Sequence, residues 1–191
     1  QDAVLVRADL RKANLEGANL EGANLRGANL VGVSLRGANL RGANLHGTRL
    51  SAADLRDADL SDASLRGAHL QNSLLHNANL SAADLKGARL KKAELINADL
   101  RRADCSGADL MGANLKGCIL QGAQLERALL KSACLVGADM RMANVHGAQL
   151  QQANLECADL TGASLQVATL EGASLEGALL MGADLQRAKL G

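Results

Sequence analysis

Four cysteines and four histidines have the widest chemical repertoire in this 191-residue chain. The cysteines are Cys105, Cys118, Cys134 and Cys157, and no C-x-x-C pair occurs. A structural zinc site is built from thiolates or imidazoles at short, paired spacing, and that pattern is missing. A disulfide framework is not indicated either, and unpaired cysteines suit a reducing, cytoplasmic setting. His46, His69, His76 and His146 form no nucleophile–base pairing that spacing can identify. Asp and Ser recur at one fixed position of the sequence, so the proximity of any two is uninformative. The glycines are no phosphate loop: they return every fifth residue, which is a turn signal rather than G-x-G-x-x-G. No catalytic residue, metal ligand or cofactor is therefore expected, and no enzyme.

Charge is the remaining chemistry. The chain holds 21 basic and 20 acidic residues, without a single aromatic or proline. In the first 110 residues, the two positions after each regularly spaced Leu, with Asp2 counted at the same phase, carry thirteen basic and five acidic residues. What these charges can do depends on the element that holds them.

That element is a phrase of five residues. Ala18-Asn19-Leu20-Glu21-Gly22 is followed by Ala23-Asn24-Leu25-Arg26-Gly27, and the register never breaks. Every fifth position from Leu5 to Leu190 is Leu except Cys105, Met140 and Val145. The position two before is Ala except Val33, Thr48, Ser73 and Cys118. A period of five fits neither an α-helix nor a flat strand. Ala and Leu are two apart, so both point to one side of an extended segment, and the polar residue between them points to the other. The next two residues must turn the chain. Four such sides close a coil of about twenty residues, and coils stack as in a parallel sheet about 4.7–4.9 Å apart.

Nineteen of the twenty glycines stand second after the Leu, third in a four-residue corner. A type II turn needs positive φ there, which Gly supplies freely. Asn72, Asn77 and Asn97 suit the same conformation. Corners with Arg102, Arg127, Met142 or Val167 are expected to use another turn type.

The unbroken A-[D/N]-L-x-x phrase resembles the pentapeptide-repeat family over essentially the whole chain. The resemblance implies an all-β fold, a right-handed quadrilateral parallel β-helix of about nine and a half coils with Leu and Ala inward. Residues 1–191 form one domain in this reading. The start at Gln1 and the end in mid-pattern lead us to expect a segment of a longer protein. Cys105 and Cys118 then occupy inward positions and Cys134 and Cys157 outward ones.

A twenty-residue coil stacks residues twenty apart into columns. Arg26, His46, Arg66 and Lys86 fall in one column, Arg36 and Arg56 in another. These six are the candidate partner-binding residues. Stacked asparagines, as at 19 and 39, can either form amide ladders between coils or serve the turns. Leu179 and Met181, outward and apolar near the end, are candidates for an end-to-end or flanking-domain contact.

A non-catalytic protein–protein interaction scaffold is the expected function, as solenoids offer extended surfaces. Some family members join such repeats to a BTB domain as adaptors, and Gln166-Val167-Ala168-Thr169-Leu170 is similar to that group. The alternative is a DNA mimic that binds gyrase or another topoisomerase, as the quinolone-resistance members are taken to do. That role requires a strongly negative surface, whereas the formal net charge here is +1. A purely structural or engineered rod is a further alternative. The expected partner is a protein, not a small molecule, nucleic acid or membrane.

Overall fold

The computed structural model describes residues 2–191. Each five-residue unit has the same backbone: an extended Ala–polar–Leu stretch, then a two-residue turn. Parallel bridges join each polar position to the residue twenty later, from Val4↔Asn24 to Thr169↔Lys189. Four units therefore complete one coil, and the coil has four sides. There is no α-helix among the described residues.

The hydrogen bonds explain why the phrase reads as it does. In the unit around Leu25, the Asn24 N–H donates to Ala3 O in the preceding coil (2.8 Å). Leu25 N–H donates to Asn44 O (2.8 Å) and Gly27 N–H to His46 O (3.0 Å) in the following coil. Ala28 N–H closes the turn on Leu25 O (2.9 Å). Only the Arg26 N–H has no backbone acceptor in this scheme, and Asn24 Oδ1 accepts it at 3.2 Å. Asn or Asp precedes the Leu because its short side chain reaches the amide two residues on. Every N–H of the unit is thereby satisfied, as a backbone with an apolar interior requires.

The same bond decides between the two readings of the asparagine rows. Asn14, Asn19, Asn24, Asn39 and Asn44 each serve their own corner. Amide bonds between coils occur where the stacked residue offers a different acceptor, as from Asn79 Nδ2 to Asp59 Oδ1 (3.1 Å) and Asn114 Nδ2 to Glu94 Oε2 (2.9 Å).

One expectation fails. Arg102, Arg127, Met142 and Val167 do not adopt another turn type: their φ angles are +58°, +55°, +58° and +60°. Glycine corners such as Gly87 (+61°) have the same geometry. The reason is the stack. Arg102 N–H must donate to Gln121 O and Val167 N–H to Gln186 O, as the corners of every coil but the last do. A different turn would break those bonds and the register of all later coils. The lattice of coils overrides the local preference against a left-handed L-residue.

The interior is a ladder of aliphatic side chains. From Leu25 to Leu170 every Leu position is buried, including Cys105, Met140 and Val145. Each buried Leu contributes roughly 1.5–3 kcal/mol relative to exposure. Polar substitutes at the Ala position satisfy themselves locally. Thr48 Oγ1 donates to Leu45 O and Ser73 Oγ to Leu70 O, both at 2.7 Å. Cys118 Sγ donates to Leu95 O at 2.8 Å. Leu5, Leu10 and Leu15, and Leu175, Leu180 and Leu185, are only partly buried, because each lacks a coil on one side.

Candidate functional site

With the interior filled, chemistry is left to three outward positions per unit. The stacking places Arg26, His46, Arg66 and Lys86 along one corner, and Arg36 and Arg56 along the diagonally opposite one. The six candidate residues thus form two separate sets. Four are already engaged within the chain. Arg36 pairs with Asp57 (3.4 Å), Arg56 with Asp54 (2.6 Å), Arg66 with Asp84 (3.6 Å) and Lys86 with Asp104 (2.7 Å). The Arg56 guanidinium holds the Asp54 carboxyl below the usual carboxylate range, and Asp104 raises the pKa of Lys86. Arg26 and His46 have no ion pair among the described residues, and they border a shallow depression with Asn44, Ser64 and Asp62.

Leu179 and Met181 are exposed, at 57% and 76%. Leu179 shares a column with Ile119, but Asp139 and Asp159 stand between them, so the apolar surface is interrupted. Met142 and Met181 lie at the same corner on either side of Gly162: the Met142 thioether lies over Gly162, whose N–H donates to Met181 O (2.9 Å).

A third set lies in a polar column. Arg49, His69 and Arg89 are consecutive rungs, joined by the bridges Arg49↔His69 and His69↔Arg89. Neither arginine has an ion pair or side-chain hydrogen bond among the described residues. Burial and the flanking Arg89 and Arg49 guanidiniums hold His69 below the ordinary imidazole pKa. Arg66 and Lys86 border this wall on one corner, Lys91 and Lys92 on the other. Between residues 46 and 92 its outward positions include no acidic residue. The facing wall carries Asp57, Asp59 and Asp62 beside Arg56, and Arg36 and Arg41 pair there with Asp57 and Asp62. This ladder escapes a charge count restricted to the corner positions. Reading the polar positions at intervals of twenty would have found it.

The thiols offer little reactivity in the core, where burial pushes Cys105 and Cys118 up to about 12. Cys134 is half-buried and Cys157 exposed. Among the described residues no group of three or more His, Cys, Asp or Glu is placed to hold a metal ion. Among the described residues no helix is long and apolar enough to cross a membrane.

The pentapeptide-repeat family matches the chain in overlapping copies from residue 3 to residue 191. HetL, a pentapeptide repeat protein involved in heterocyst differentiation regulation in the cyanobacterium Nostoc sp. strain PCC 7120, is 36% identical. That match covers 90% of this chain and 86% of HetL, with a TM-score of 0.82. A pentapeptide repeat protein of the Arabidopsis thaliana thylakoid lumen is 28% identical, covering 61% of this chain and 70% of its own, with a TM-score of 0.42. Trypsin-treated QnrB1, a plasmid-mediated fluoroquinolone resistance protein, is 19% identical, covering 82% and 88%, with a TM-score of 0.46. No curated protein matches the chain in sequence.

Proposed function

Because the chain belongs to the pentapeptide-repeat family, we propose that it is a non-catalytic scaffold, a rigid rod of about nine and a half coils whose flat walls bind a protein partner. The observation that carries this reading is the division of labour within each unit. Ala and Leu are spent on the core, the outward Asn or Asp closes many of the corners, and the remaining outward side chains stand in straight columns that the fold does not prescribe. HetL is involved in a regulatory process, and regulation by contact rather than catalysis is the role we carry over to this chain. We place it in the cytoplasm, as a single repeat domain that can serve as the arm of a larger adaptor, including one with a BTB domain. Arg26, Arg36, His46, Arg56, Arg66 and Lys86 remain candidate contacts, with Arg26 and His46 the freest. Leu179 and Met181 are the candidate end contact. A duplex-imitating role is not supported by this surface, where cations and carboxylates alternate.

The test is affinity capture from an extract of the source cell with the full chain immobilised. A scaffold retains a defined protein, and excess free chain competes it away. Failure to retain any protein in a competable manner overturns the reading.

A further inference from the structure

The wall centred on Arg49, His69 and Arg89 is unlike the rest of the surface. Several cations elsewhere are paired within the chain, Arg11 with Asp9, Arg101 with Asp99 and Arg141 with Asp139, and others, such as Arg26, Arg102 and Lys116, are not paired among the described residues. What distinguishes this wall is that its outward positions from 46 to 92 include no acidic residue. On this wall Arg49 and Arg89 project from adjacent-but-one coils, and neither makes an ion pair among the described residues, although Asp109 is the next rung beyond Arg89. The coil spacing puts their backbones roughly 9.5 Å apart. A folding requirement does not explain them, since Asn or Asp in this position serves the corner amide and Arg cannot. The two arginine cations of one column also repel one another. A group that binds them from outside would remove that repulsion.

The dimensions narrow the occupant. The cationic stretch of the column ends at Asn29 on one side and Asp109 on the other. Its length matches about three residues of extended chain at roughly 3.3 Å each. Nucleic acid would need a longer track, because its affinity grows with the number of phosphates neutralised. Single strands also use aromatic platforms, and this chain has no aromatic residue. Guanidinium groups pair with carboxylates in a bidentate fork.

We propose that this acid-free wall is the docking surface for an acidic segment of a partner protein, with Arg49 and Arg89 taking carboxylates and Lys91 and Lys92 flanking them. This inference rests on the scaffold reading and names its binding face and the chemistry of its partner.

The test is a fluorescence-anisotropy titration of the full chain with labelled octaglutamate, alongside octalysine and a single-stranded oligonucleotide of similar length. Octaglutamate binds the unmodified chain and octalysine does not. In the double variant Arg49→Gln/Arg89→Gln, affinity for octaglutamate falls about tenfold or more, as for close charge pairs at an interface. The double variant Arg102→Gln/Lys116→Gln, with the same loss of charge on other corners, changes it less than about twofold. All four positions point outward, and thermal melting verifies that both variants are folded. Equal octaglutamate binding by the two variants overturns the proposal. So does an oligonucleotide that binds more tightly than octaglutamate and is lost with Arg49 and Arg89. In the capture experiment, a competable partner still retained by Arg49→Gln/Arg89→Gln would sink this wall and leave the scaffold reading standing. No competable partner at all would sink the scaffold reading, while the octaglutamate titration still decides the chemistry of the wall.

Discussion

Asp9, Asp54, Asp99 and Asp139 each hold an arginine two residues downstream. In the Asp54 unit the carboxylate accepts both the Arg56 main-chain N–H (3.2 Å) and its guanidinium (2.8 and 2.6 Å). One side chain thus closes the corner and neutralises a cation. Hydrogen bonds from Arg56 and Arg141 lower the pKa of Asp54 and of Asp139. Burial alone would raise Asp99, but the bonds from Arg101 outweigh it and the carboxyl ends below its ordinary range. A carboxyl lowered in the folded state stabilises the fold above the unfolded pKa and loses that contribution as pH falls through the folded one. Thermal stability is therefore expected to be level from about pH 5 to 8 and to decline below about pH 4. Replacing Arg11, Arg56, Arg101 and Arg141 together by Gln should flatten that decline, measured as the difference in Tm between neutral and acid pH. An unchanged difference would contradict the assignment.

The corner is the element whose chemistry was only half legible. Nineteen glycines at one phase announce a left-handed third residue, and the structure has it. Asn72, Asn77 and Asn97 were legible as the same conformation, but that corners such as Arg102 and Val167 share it was not, because a turn type is ordinarily chosen by its own residues. Here the choice belongs to the hydrogen bonds between coils, which sequence position does not display. Val167 is the most strained instance, a β-branched residue at φ +60°. Val167→Gly is expected to stabilise the rod by about 1 kcal/mol and Gly87→Ala to destabilise it by a similar amount, read from urea denaturation. A Cβ on Gly87 would meet nothing within 4 Å, so its effect isolates the backbone term. The inward positions, by contrast, were fully legible: Leu and Ala recur at fixed spacing because each must reach the same axis. The interaction surface was legible only in its corners. Arg49, His69 and Arg89 stand where the repeat asks merely for a polar residue, so nothing in a single unit distinguishes them.

At the scale of the molecule, the two repeats that matter are five and twenty. Removing five residues, such as 121–125, keeps every later Leu inward but turns the outer positions beyond it by one side. Removing twenty, 121–140, keeps the outer columns as well. Removing two, Ala123 and Gln124, puts Arg127, Ser132 and Gly137 where the register calls for an inward Leu. The expected result is a cooperative melt and protease resistance after the loss of five or twenty residues, and loss of both in the C-terminal part after the loss of two. Equal damage from all three deletions would contradict a stack built from interchangeable sides.

The contrast between the cationic wall of Arg49 and Arg89 and the facing wall, where Arg36 and Arg41 pair with Asp57 and Asp62, gives the molecule polarity across its width. An approaching charged body exerts a torque about the long axis, rolling the rod until the opposite sign faces it. Orientation is then settled before touch, and dissolved salt, which shortens the range of that torque, should slow the encounter more than it loosens what has already formed.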